Sequence, residues 1–449
     1  MKNVKTGYVH GTIGTTMLKT AASMIPATLA ISGYHVADTY FVAKLGTMPL
    51  AAMGFTFPMI MLISCIYRGI AVGGMTPLAH AVGKRKMGTA AKIASSSLLL
   101  IIVCSVFVGI FGLLSMKWVF SCFGAGGEVM PMILSYMSIW YLGNLSVALA
   151  MTCNNFLIAM GATKSASGLM VAGMLLNVIL DPIFIFGFGG IPAMGIGGAA
   201  LATVLAQIIS GTVLLLTLHL KFRLLTLRIL NLRLLKVAWL IIIRISIPSI
   251  IGILMLPIGN GIITRIGAEF GADVVAACAA AGRLEMVAFI VPMSLGMALM
   301  PMIGQNFGAK HYDRINQCRR FAVRFAVIFE LFMALIYFFL APYLSGLFSE
   351  DPKLLEIMTV YLRIIPFGFG MMEVHRYCGF IYTGCNKPAA AAWLNALRLF
   401  ALLVPLSLLA LYFQSLNGLF AARLVSDILS GLVGLWLVRR MTLKLLSQK

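Results

Sequence analysis

Apolar runs of about twenty residues recur from Met17 almost to the C-terminus, and no other feature constrains the chain so tightly. Twenty helical residues rise about 30 Å, the thickness of a bilayer's hydrocarbon core. Only 10% of the 449 residues are charged and 61% are hydrophobic, whereas about a quarter of a soluble domain is charged. A β-barrel would show short alternating segments, and the runs here are long and continuous. The pattern predicts an all-α polytopic membrane protein with twelve spans, the first over 15–40 and the last over 418–438. The first span contains Pro26 and continues into "GYHVADTYFVAKLG" without a cleavage site, so it reads as a span and not as a leader.

The formal net charge of +21 could suggest nucleic acid, but its placement excludes that partner. Basic residues gather in alternate connections: Lys2 and Lys5, "GKRK" (83–86), Lys164, "KFRLLTLRILNLRLLK" (221–236), "AKHYDRINQCRR" (309–320), Lys387 and the tail with Arg439, Arg440, Lys444 and Lys449. The connections between them are sparse in positive charge or acidic, as in "SEDPK" (349–353). This is the positive-inside pattern, with both termini cytoplasmic. The chain is expected to be a multi-pass protein of a prokaryotic cytoplasmic membrane, a monomer whose partners are the lipid bilayer and small molecules. The eight cysteines show no metal-binding spacing, and Cys122 alone falls in an external connection.

The basic segment divides the chain into a first lobe (1–222), a cytoplasmic connection (223–237) and a second lobe (238–449). Shifting the first half by 225 positions aligns Gly46 with Gly271 and Tyr136 with Tyr361. The shift falls to 223 at Gly161/Gly384 and Pro182/Pro405, then to 220 at Gly198/Gly418. Six spans per half give both halves one orientation, related by a pseudo-two-fold axis along the membrane normal. Two such lobes around a central cavity suggest a transporter.

The residues that the repeat leaves unexplained carry the functional signal. Asp38 stands opposite Ile263, and Asp181 opposite Val404, so only the first lobe has these intramembrane carboxylates. Tyr34 and Asp38 are four residues apart, as are Asn177 and Asp181, so each pair shares a helix face. Tyr136, Asn154 and Thr203 on the fourth to sixth spans are candidates to join them. Ionisable groups inside membranes are rare and mark pathways or relays. Two carboxylates in low dielectric cannot both ionise cheaply and titrate as a coupled pair. With amide and hydroxyl oxygens beside them, Asp38, Asn177 and Asp181 could hold a proton or a Na⁺ ion. The structural alternative pairs the two acids with His35, Arg68 or Arg398.

At these residues the chain resembles the multidrug and toxic compound extrusion (MATE) family, nearest its DNA-damage-inducible branch. The resemblance rests on "ADTYFVAKLGTMPLAAMGFTFP", "NVILDPIFIFGFGGIPAMGIGGAALATVLAQ" and "GRLEMVAFIVPMSLGMALMPMIGQNFGAK", and extends over the whole length. It implies a V-shaped pair of six-helix lobes that exports amphipathic, often cationic drugs by antiport against H⁺ or Na⁺. No cofactor is implied and no enzymatic reaction. It also implies that Asp38, Asn177 and Asp181 couple the cation, with Tyr34, Tyr136, Asn154 and Thr203 completing the network. Pro26 and Gly33 supply places for the first helix to bend. Another branch of the family has an acid in the seventh helix, which this chain lacks before Glu269. Glu285 and Glu373 remain second-lobe candidates, Glu285 being equally suited to an ion pair with Arg283.

Two other readings stay open on sequence. A lipid-linked oligosaccharide flippase of the same superfamily would use intramembrane arginines, and Arg68, Arg244, Arg363, Arg398 and Arg423 are available. An intramembrane transferase would need a carboxylate cluster or a nucleophile with a base, and no DDxxD or HxxxxD pattern occurs.

Overall fold

The computed structural model describes residues 8–226 and 231–447, apart from the side chains of Ser32, His35 and Leu232. Lys2, Lys5, Lys449 and residues 227–230 of the basic segment lie outside the described residues, as does the His35 side chain. The described chain is helical almost throughout. In order come α1 (Ile13–Ala43), α2 (Thr47–Gly83), α3 (Met87–Cys122), α4 (Val129–Ala159), α5 (Thr163–Phe186), α6 (Ile196–Leu216) and α7 (Leu232–Ala268). There follow α8 (Ala272–Gly308), α9 (Tyr312–Gly346), α10 (Pro352–Ile364), α11 (Pro366–Gly384), α12 (Pro388–Ala396), α13 (Val404–Tyr412) and α14 (Leu416–Leu446). A π-helical segment, Leu397–Leu403, joins α12 to α13.

Among the described residues ten helices are long and apolar enough to cross a membrane, α12 and α13 counting as one. The pair α10 and α11, bent by 52° at Ile365, makes an eleventh. Pro366 explains that bend, because it has no N–H to return to Leu362 and its ring crowds the preceding turn. With the 31-residue α1 the order matches the twelve-span expectation. The helices outrun the apolar runs at both ends. α7 begins at Leu232, inside the segment that the sequence assigns to the connection, because "LRLLKVAWL" continues the helix without a breaker.

Tight turns set the register between the two halves. The offset of 225 relates Gly46 (φ 111°) to Gly271 (φ 119°) and Arg85 (φ 57°) to Lys310 (φ 58°). It also relates Gly161 (φ 80°) to Asn386 (φ 61°). The expected pairing of Gly161 with Gly384 is therefore not the one the backbone makes. Gly384 closes α11 instead, where a Cβ would stand 2.8 Å from Ile303 Cγ2 and 2.9 Å from the Met300 carbonyl. At that offset Asp181 faces Leu406 and not Val404, so the acid still has an apolar counterpart.

The described chain packs as two compact units, Ser23–Ile250 and residues 8–22 with 251–447. Their boundaries fall inside α1 and α7, whereas the sequence places its division at 223–237. In the first unit, Tyr67, Phe156, Trp140 and Tyr136 are among the large buried side chains. Two close approaches position the site there. A Cβ on Gly33 would meet Met174 Cε at 2.8 Å, so this glycine brings α1 against α5. A Cβ on Gly198 would stand 2.2 Å from the Phe184 carbonyl oxygen, so α6 starts directly on the end of α5. In the second unit, Tyr8, Ile13, Met17 and Ala21 pack with buried residues of α8, α9 and α11, including Leu299, Ile315 and Tyr377.

Candidate functional site

Asp38 and Asp181 are both buried in the Ser23–Ile250 unit, 4% and 0% exposed. They lie within electrostatic reach of one another. α1 supplies Asp38 and α5 supplies Asp181, and the Gly33–Met174 approach holds the two helices close enough for this. One turn before Asp181, Asn177 turns its amide nitrogen towards Asp181 Oδ1 at 3.4 Å and Thr203 Oγ1 at 3.5 Å. Both contacts are long for hydrogen bonds, so the amide is shared loosely between them. Thr203, carried by α6, is 2.9 Å from the Tyr34 hydroxyl. Tyr136 of α4 is buried within electrostatic reach of Asp38, Tyr34 and Asp181. Six of the expected residues thus gather in one place.

Among the described residues, Asp38 Oδ1, Asn177 Oδ1 and Asp181 Oδ2 are buried without a hydrogen-bond partner. No ion pair to either aspartate is present among the described residues, which removes Arg68 and Arg398 as structural partners. A buried acceptor left unsatisfied is costly, and a charged one more so. A proton would remove the charge of one of the two carboxylates, and a small cation would supply the counter-charge that both lack among the described residues.

Asn154 is not part of this set. It stands eighteen residues beyond Tyr136 on the unbroken α4, about 27 Å of helical rise. Its amide nitrogen meets Met170 Sδ at 2.9 Å, and Met170 lies about 16 Å before Asp181 along α5. α1 runs unbroken through Pro26 and Gly33. In this state Gly33 serves as a contact with α5.

The second unit holds a separate polar network. Glu285 pairs with Arg423 of α14, and the Tyr361 hydroxyl donates to Glu285 Oε2 at 2.9 Å. The expected partner Arg283 is excluded by geometry, since residues two apart point to different sides of a helix. Arg423 also donates to the Tyr361 oxygen at 2.7 Å and approaches Asp427 Oδ2 at 3.9 Å. Arg398, carried by the π-helical segment, binds Asp427 Oδ1 at 2.6 Å. Glu373 pairs with Arg376 one turn on at 2.9 Å. Asp427 and Glu330 escaped the sequence reading, although each is an acid within an apolar span. Arg423 and Asp427, four residues apart, also carried the helical spacing of a pair.

The sequence profile of the family described as MatE matches residues 24–183 and 248–409. The chain belongs to the MatE family. Members of the family are transporters and not enzymes, which sets the transferase reading aside. A relative named FAD transporter, from Shewanella oneidensis, is 31% identical over 97% of this chain and 96% of its own length. Multidrug export protein MepA of Staphylococcus saprophyticus is 21% identical over 94% of this chain and 92% of its own. The crystal structure of the Vibrio cholerae MATE transporter VcmN in the bent form matches with a TM-score of 0.91 at 27% identity. That match covers 96% of this chain and 97% of the other. The fold is accordingly that of MATE transporters, with twelve helices in two lobes.

Proposed function

We propose that this MatE-family protein is a secondary active antiporter that exports small amphipathic compounds from a prokaryotic cell by alternating access. Inward flow of H⁺ or Na⁺ drives the export across the cytoplasmic membrane, with both termini on the cytoplasmic side. Asp38 and Asp181 bind the coupling cation, and Asn177, Thr203, Tyr34 and Tyr136 line that site. The observation that carries this reading is the buried pair of aspartates with unsatisfied oxygens and no counter-cation among the described residues. A ligand shifts a two-state protein only through differential affinity for the two states. Asp38 on α1 and Asp181 on α5 supply that difference where the change of state moves the two helices apart, because the cation then keeps fewer of its oxygens. At about 100 mV, each charge moved inward adds about 2.3 kcal/mol to the driving force.

Two substrate classes follow from the relatives. MepA is named a multidrug export protein, which supports drug-like small molecules as cargo. The 31%-identical relative is named FAD transporter, and its greater similarity favours a flavin nucleotide as a second cargo reading. Purified protein in proteoliposomes, tested under separately imposed proton and sodium gradients, distinguishes these readings. One gradient is expected to drive accumulation of a fluorescent organic cation or of FAD, and the other to have little effect. Equal movement of either compound with and without both gradients would sink the antiport reading.

A further inference from the structure

Glu330 sits in α9 within the run "FAVIFELFMALIYFFL" (325–340), where every other side chain is uncharged. It is 0% exposed, and neither of its carboxyl oxygens has a hydrogen-bond partner among the described residues. Its neighbour across the packing is α11, since a Cβ on Gly370 would stand 3.6 Å from Glu330 Cβ. One turn further along α11 is Glu373, also 0% exposed, whose Oε2 meets Arg376 Nη1 at 2.9 Å and whose Oε1 has no partner among the described residues. The two acids are within electrostatic reach of each other.

The charged and titratable groups around Glu330 come from three helices. α11 contributes Glu373, Arg376 and Tyr377, α8 contributes Glu285, and α9 itself contributes Tyr337. Nearly all are already engaged. Arg376 is bound to Glu373 and lies 5.0 Å from the centre of the Phe289 ring. Glu285 is bound to Arg423 and Tyr361. The Tyr337 hydroxyl donates to the Leu284 carbonyl, and the Tyr377 hydroxyl to the Pro292 carbonyl, each at 2.6 Å. Arg376 therefore balances one carboxylate and leaves the other without counter-charge or donor.

An isolated ionised carboxylate in the packed interior costs several kcal/mol even after relaxation. A proton removes that cost and turns the group into a donor beside the acceptor oxygens of Glu373. Sodium suits the place less well. Hard cations need several oxygens, and the two nearby phenols are spent on backbone carbonyls.

We propose that Glu330 and Glu373 form a second proton-binding site, built between α9 and α11, in which Glu330 carries the proton at neutral pH and Glu373 remains paired with Arg376. This site uses none of the residues assigned to the Asp38–Asp181 pair, and it stands or falls without that assignment. Infrared spectroscopy of the purified full-length protein in lipid nanodiscs tests it through the C=O stretch of protonated carboxyl groups. The wild type at neutral pH is expected to show a band that Glu330→Gln removes and that a doubly substituted Asp38→Asn, Asp181→Asn protein retains. Glu373→Gln should move the band in frequency without abolishing it, because the partner changes while the protonated group stays. Because glutamine resembles the neutral acid, Glu330→Gln should fold and melt at an unchanged temperature. An unaltered spectrum in Glu330→Gln would overturn the proposal, and so would a variant that fails to fold, since an ionised structural partner of Arg376 would behave in that way.

Discussion

Asp181→Asn is expected to abolish gradient-driven transport in proteoliposomes while leaving the protein folded and correctly inserted. The substitution keeps the shape of the side chain and a carbonyl oxygen for the Asn177 amide, which now reaches Asp181 Oδ1 at 3.4 Å. What it removes is the ability to change charge. Moving a two-state equilibrium from 1:99 to 99:1 requires about 5.5 kcal/mol of differential binding, or a factor of about 10⁴. Loading and unloading a buried carboxylate is among the few events in this chain with free energies on that scale. Asp38→Asn should act likewise, and the double variant should be no worse than either single one, because residues acting as a unit are not additive. Transport and melting temperature measured on the same preparations decide the matter. Full gradient-driven transport by both single variants would leave the fold intact and remove the proposed coupling site.

Arg423→Met should instead strike at stability. Arg423 is the partner of Glu285 and also stands 3.9 Å from Asp427 Oδ2. Asp427 is 0% exposed and Glu285 is 15% exposed. Removing one member of a buried pair leaves the other charge uncompensated, which costs about 3–5 kcal/mol. The lower end of that range applies, because Arg423 is 22% exposed and some screening reaches it. A matching Glu285→Gln in the same chain should recover part of the loss, since the orphaned charge then disappears. Thermal unfolding of the single and double variants in one detergent measures both effects. A loss below about 1 kcal/mol, the level of an exposed ion pair, would mean that the network contributes little to holding α8 and α14 together.

The sequence made some of this legible for a physical reason. An acid in an apolar run is conspicuous because hydrocarbon tolerates it so poorly, and helical spacing alone put Asn177 beside Asp181 and Tyr34 beside Asp38. Where elements had to find each other in space, local spacing gave less. Glu285 has Arg283 as its near neighbour in the chain, but its partner Arg423 lies 138 residues away on another helix. Asn154 has the right chemistry on the right helix and the wrong height. The pairing of Gly161 with Gly384 followed residue identity, whereas the backbone pairs Gly161 with Asn386, the residue that takes the left-handed turn. Glu330 was visible by the same criterion as Asp38.

The passage of both unit boundaries through helices means that each half of the chain lends a segment to the other. Residues 8–22 at the start of α1 lie in the unit built mainly from the end of the chain, and residues 232–250 of α7 lie in the unit built mainly from its beginning. Trp239 is an example, its indole N–H donating to the Ser96 carbonyl at 3.0 Å. Severing the basic segment would therefore give two fragments, each carrying a piece of its neighbour's interior. Neither fragment would then hold all the residues that complete its own packing, so each half is expected to need the other in order to fold.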